Sequence, residues 1–101
     1  MSNHIICFSP RGATLGQRIL ALEDVFTADW ELTQCFGADH ESLSDWTKRV
    51  FEPGNNLIFI GAAGIAVRAI APYVRAKQSD PAVVVMDEKA CLLYTSPSPR
   101  D

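Results

Sequence analysis

LIFIGAAGIAVRAIAP, residues 57–72, decides the fold. Leu57 to Ile60 are β-compatible and continuous, then stop at Gly61-Ala62-Ala63-Gly64 and pass into a helical pattern. An apolar run without polar alternation predicts a strand buried on both faces, as in a parallel sheet covered by helices. Past the glycines the spacing predicts a helix from about Gly64 to Ala76. Val67, Ile70, Ala71 and Val74, at i, i+3, i+4 and i+7, are its expected buried stripe. Pro72 conflicts with an unbroken helix, because it lacks an amide proton and crowds the carbonyl of Arg68. A kink is expected there, or a break at Ala71 with a new turn beginning at Pro72.

Working outward, the run from His4 to Phe8 predicts a short strand ended by Ser9-Pro10. Helical spacing follows from Thr14 to Phe26, with Leu15, Ile19, Leu22 and Phe26 on one face. Glu31 to Phe36 fits a second strand with imperfect alternation. Ser42 can cap a second helix, Asp45 three residues on completes a capping box, and Leu43, Trp46 and Val50 form the buried stripe. Pro53-Gly54-Asn55-Asn56 stops that helix with turn chemistry. Asp80-Pro81 precedes a last strand, Ala82 to Met86, which delivers Asp87 and Glu88 at its carboxyl end. Strands alternating with helices predict the α/β class: an open, mostly parallel, flavodoxin-like sheet with helices on both faces.

At 101 residues the chain holds one domain. Its net charge of −3, without a basic stripe, argues against nucleic acid as a partner. No apolar run approaches the ~20 residues of a membrane span, and MSNHIICFSPRG lacks the features of a signal peptide, so a cytoplasmic protein is expected. Cys7, Cys35 and Cys91 have no metal-like spacing and read as core residues and a stray thiol, with no protein metal site.

Ligands of open parallel sheets bind beyond the carboxyl ends of the strands, where the winding reverses. With strands one and three adjacent, that place is bounded by Ser9-Pro10-Arg11-Gly12 and Gly61-Ala62-Ala63-Gly64. Bare backbone at a helix N-terminus suits a carboxylate or phosphate. Arg11 and Arg68 could each grip a carboxylate through two hydrogen bonds. Gly12, Gly61, Ala62, Ala63 and Gly64 complete the candidate binding set, and Asp87 and Glu88 are candidate acid and base groups. Blander readings stand beside these: close helix packing for the glycines, solvation for Arg11 and Arg68, capping for the two carboxylates. His4 falls at the opposite edge of the sheet, away from these loops.

LIFIGAAGIAVRAIAPYVRAKQSDPAVVVMDE closely resembles the signature region of the amino-terminal part of the cobalt-precorrin-5A hydrolase (CbiG) family. The likeness runs from about Leu57 to Lys89 and extends more loosely to FSPRG and SLSDWTKRVF. It implies a hydrolase of anaerobic cobalamin (vitamin B12) biosynthesis, one that opens the δ-lactone of cobalt-precorrin-5A and releases acetaldehyde to give cobalt-precorrin-5B. The implied partner is the carboxylate-fringed corrinoid macrocycle, a tetrapyrrole. No cofactor is implied, since cobalt enters as part of the substrate. Two alternatives stay open: a non-catalytic module that binds tetrapyrrole carboxylates, and a generic nucleotide-binding or regulatory α/β domain.

Similar proteins continue past DEKA with another strand, a glycine-rich segment containing SGHLGGAN and further domains. Here CLLYTSPSPRD follows, with Ser-Pro repetition and no amphipathic period. Residues 1–90 are therefore expected to form a partial amino-terminal α/β domain, and 91–101 a tail resembling adapter read-through. An unpaired sheet edge after the last strand and impaired activity of the isolated fragment, deprived of its C-terminal domains, go with that expectation.

Overall fold

A computed structural model describes residues 2–22, 29–75, 80–89 and 92–96. Strand β1 (Ser2–Cys7) leads into helix α1 (Pro10–Leu22), then β2 (Asp29–Gln34), α2 (Leu43–Val50), β3 (Asn56–Ile60) and α3 (Ala63–Ile70). A single 3-10 turn (Ala71–Tyr73) follows, then β4 (Ala82–Met86) and β5 (Leu92–Ser96). The sheet order is β2-β1-β3-β4-β5. Its first four strands pair in parallel, and β5 runs antiparallel to β4. This is the flavodoxin-like winding that the sequence predicts. The outer edge of β4, expected to be bare, instead carries β5. Ser-Pro repetition obscured LLYTS, whose tyrosine and threonine suit a strand.

Strict two-residue alternation divides the core into two layers. On one face Ile6, Leu57, Phe59, Val83 and Val85 meet Trp46 and Val50 of α2 and Ala66 and Ile70 of α3. On the other, Ile5, Cys7 and Ile60 meet Ala13 and Leu15 of α1. Helix α2 starts where Ser42 accepts the Asp45 amide at 3.1 Å, so the expected cap is present. Thr47, also buried there, returns its hydroxyl to the Leu43 carbonyl at 2.8 Å.

Helix α1 begins at Pro10, four residues earlier than its apolar spacing suggests, because proline is tolerated at a first helical position and Ser9 caps the turn. Leu15 is buried and Ile19 packs against the same layer, while the expected packing of Phe26 lies outside the described residues. The α3 stripe needs correction. Val67 and Val74 are 45% and 55% exposed, Ala71 is exposed too, and the buried pair is Ala66 and Ile70. Helix α3 ends at Ile70, just ahead of Pro72, and the 3-10 turn then shifts the angular phase that the sequence reading carried through to Val74.

A polar clamp ties α2 to the sheet. Arg49 reaches both oxygens of Glu41, at 2.8 and 3.0 Å, and Glu31 on β2 at 3.2 Å. Glu31 also meets Nδ1 of His4 at 2.8 Å. Burial alone would raise Glu31, but the hydrogen bonds from His4 and Arg49 outweigh it and hold the carboxyl below its usual range. The Arg49 hydrogen bond lowers Glu41 in the same way. His4 is thus a structural partner, as its position at the far edge suggests. Among the described residues, no helix is long and apolar enough to cross a membrane.

Candidate functional site

Register sets three strand exits side by side. Cys7 pairs with Ile60 and Ile60 with Met86, so the chain leaves β1, β3 and β4 at one level. Around these exits lies an open cleft of about 640 Å³, lined by Arg11, Thr14, Leu15 and Arg18 from α1, by Gly61 and Ala62 from the β3 exit, and by Asp87, Glu88 and Lys89 from the β4 exit. That volume falls within the range of about 300–1,000 Å³ usual for small-molecule sites. It lies at the β1/β3 switch point, where an open sheet of this order takes its ligands.

Local chemistry explains each exit. Ser9 accepts the Gly12 amide on its hydroxyl at 3.1 Å and the Ala13 amide on its carbonyl at 2.9 Å, which fixes the first turn of α1 and projects Arg11 into the cleft lining. The same hydroxyl donates to Oε2 of Glu88. The Gly61 amide is spent on the Met86 carbonyl at 2.8 Å, so it cannot serve a ligand. Ala62 caps α3 without a side-chain acceptor, leaving the first-turn amides of that helix without side-chain partners. Lys89 donates its amide to Oδ1 of Asp87 at 2.9 Å, closing the turn after β4.

Of the residues expected to form the site, Arg11, Gly61, Ala62, Asp87 and Glu88 come together. The others do not line the cleft. Gly12 is buried, and a Cβ there would sit 3.0 Å from Cys7 Cβ, so its role is close packing of α1 on β1. Gly61, although in the lining, also owes its bareness to a neighbour: a Cβ would come 3.1 Å from the Phe8 ring. Ala63 packs on the core, and Gly64 is exposed with open space around it. Arg68 lines a separate groove of about 430 Å³ with Leu43, Ser44, Ile65 and Tyr73. Five residues beyond Ala63, it is about 140° round the helix from the first-turn position (100° per residue), which carries it away from the exits.

Sequence reasoning missed Ser9, Thr14, Arg18 and Lys89. A signal for two of them was present: Arg11, Thr14 and Arg18 recur at i, i+3 and i+7, one stripe of a helix once its start is set at Pro10. The lining holds three cationic side chains (Arg11, Arg18, Lys89) against two carboxylates (Asp87, Glu88). Among the described residues neither Arg11 nor Arg18 has an ion-pair partner. Among the described residues no cysteine lines the cleft, and burial pushes the Cys7 and Cys35 thiols up, away from the nucleophilic thiolate.

Comparison with known proteins agrees with the fold and with the resemblance. The family Cobalamin synthesis G N-terminal matches residues 45–93. A cobalt-precorrin-5A hydrolase from Salmonella typhimurium is 39% identical over 87 residues, covering 84% of this chain and 25% of that protein. Another, from Priestia megaterium, is 50% identical over 40 residues, 40% of this chain and 11% of its own length. The crystal structure of a cobalamin biosynthesis protein G homolog from Sulfolobus solfataricus superposes with a TM-score of 0.68 at 21% identity, over 88% of this chain and 26% of that one. The chain thus spans about a quarter or less of the length of these relatives.

Proposed function

We propose, from the match of residues 45–93 to the Cobalamin synthesis G N-terminal family, that the switch-point cleft receives the acetate and propionate fringe of a cobalt-precorrin macrocycle. In this reading the chain supplies the amino-terminal part of a hydrolase that opens the δ-lactone of cobalt-precorrin-5A, releases acetaldehyde and yields cobalt-precorrin-5B. The observation that carries it is the convergence of Arg11, Arg18 and Lys89 on one cleft that also contains Asp87 and Glu88. Guanidinium groups match carboxylates through paired hydrogen bonds, and an adjacent carboxylate is the group needed to activate water against a lactone. Cobalt is substrate here.

Calorimetric titration of the chain checks the reading. Uroporphyrin, a tetrapyrrole with eight carboxylates, is expected to bind and to weaken as salt is raised, because the contacts are largely ionic. ATP and FMN are expected to bind far less tightly. Tight binding of either nucleotide, with no uptake of the tetrapyrrole, would replace this reading with that of a nucleotide-binding domain.

A further inference from the structure

A cleft built for carboxylates gains nothing in affinity from carboxylates of its own, so the two that line it need an account. Asp87 has a structural duty, since its Oδ1 accepts the Lys89 amide at 2.9 Å and shapes the turn after β4. Glu88 is held differently. Its Oε2 accepts the hydroxyl proton of Ser9, a residue 79 positions away in sequence and bonded across the exit of β3.

Ser9 has a single hydroxyl proton. Its oxygen already accepts the Gly12 amide at 3.1 Å, inside the first turn of α1, so the side chain is fixed and its proton is directed at Glu88. Ser9 itself is not in the cleft lining, whereas Glu88 is. The hydroxyl therefore grips the carboxylate from the protein side. Among the described residues Oε1 of Glu88 has no partner.

Resting on the hydrolase reading above, we propose that Glu88 is the general base of lactone opening and that Ser9 is the residue that positions it. Oε1 takes a proton from a water molecule as the water oxygen bonds to the lactone carbonyl carbon. Collapse of the tetrahedral adduct breaks the ring C–O bond, the departing oxygen takes the proton back from Glu88, and a hydroxyl group and a carboxylic acid result. One water is consumed and Glu88 is regenerated. Ser9 contributes geometry: with Oε2 anchored, Oε1 presents one lone-pair direction to the cleft rather than sampling the rotamers of a free glutamate.

The test uses the chain in excess over cobalt-precorrin-5A, follows loss of the lactone in a single turnover, and measures uroporphyrin affinity in parallel. Glu88→Gln is expected to slow opening about 10²- to 10⁴-fold, the usual worth of a general base, while uroporphyrin binds slightly more tightly because a like charge is gone. Ser9→Ala, which also removes the acceptor of the Gly12 amide in the first turn of α1, is expected to slow opening of bound substrate roughly tenfold beyond any change in affinity, and Ser9→Thr, which keeps the hydroxyl, to restore it. Circular dichroism on each variant separates these effects from loss of fold. Unaltered opening in Glu88→Gln overturns the proposal, as does a Ser9→Thr variant as slow as Ser9→Ala. A wild-type chain that binds uroporphyrin yet opens no lactone overturns it too and leaves the binding reading intact. Failure to bind uroporphyrin at all removes the reading on which it rests.

Discussion

Trp46→Ala is expected to lower the stability of the chain by about 3–5 kcal/mol, the range for removing a large aromatic side chain from a core. Domains of this size are stable by only about 5–15 kcal/mol in total, so the urea midpoint should fall by about a fifth or more, and a marginal chain would unfold. Trp46 is fully buried between α2 and the sheet, with its ring edge-on to Phe59 at 5.3 Å and 82°. It belongs to the same layer as Ile6, Val50, Leu57 and Ile70, so its loss opens a void between α2, α3 and the sheet. Trp46→Phe tests a second feature. Among the described residues the buried indole Nε1 has no hydrogen-bond partner, and removing such an orphan recovers about 1–3 kcal/mol of desolvation. The phenylalanine variant should therefore lose far less than the alanine variant. Equal losses in the two melts would contradict this account of the indole.

Arg11→Ala combined with Arg18→Ala is expected to weaken uroporphyrin binding about 100-fold. Hydrogen bonds to charged groups contribute about 1.5–3 kcal/mol each when well formed, and tenfold in affinity corresponds to about 1.4 kcal/mol. Exposure at this open cleft reduces each arginine toward the lower end of that range. The two side chains sit seven residues apart on α1, a separation of about 10 Å along the axis (1.5 Å per residue). One small carboxylate cannot satisfy both, whereas carboxylates spread round a macrocycle can. Single substitutions should each cost about tenfold, and the steepness of the salt dependence should fall in the double variant. Arg68→Ala, in the other groove, should leave affinity unchanged. Titrations in which Arg68→Ala matters and the α1 pair does not would move the site to the α2–α3 side.

Sheet and layers were legible because their signal is local. IICF, LIFI and AVVVM are each continuous apolar runs, and such runs report burial on both faces whatever the partner. What was not legible depended on phase or on distance along the chain. Reading Ser9-Pro10 only as the end of a strand put the start of α1 at Thr14. That error left Arg11 in a loop and hid its stripe with Thr14 and Arg18. Breaking the helical phase after Ile70 moved Ala71 and Val74 out of the core, while Val67, inside α3, lies off the face that Ala66 and Ile70 bury. The Ser9–Glu88 bond joins residues that no periodicity relates, and β5 owes its place to pairing with β4 rather than to any pattern of its own. Gly12 and Gly61 were visible as backbone without a side chain, but the neighbours that require it, Cys7 and Phe8, emerge only once helix and strand are packed.

The central claim is that the three strand exits form one polycarboxylate site. It is tested most directly by titrating uroporphyrin into isotopically labelled chain and following backbone amide resonances. The expected shifts fall on Arg11, Thr14, Arg18, Gly61, Ala62 and Lys89, and saturate together with one affinity. Shifts confined to Ser44, Ile65, Arg68 and Tyr73, with the exits silent, would contradict it.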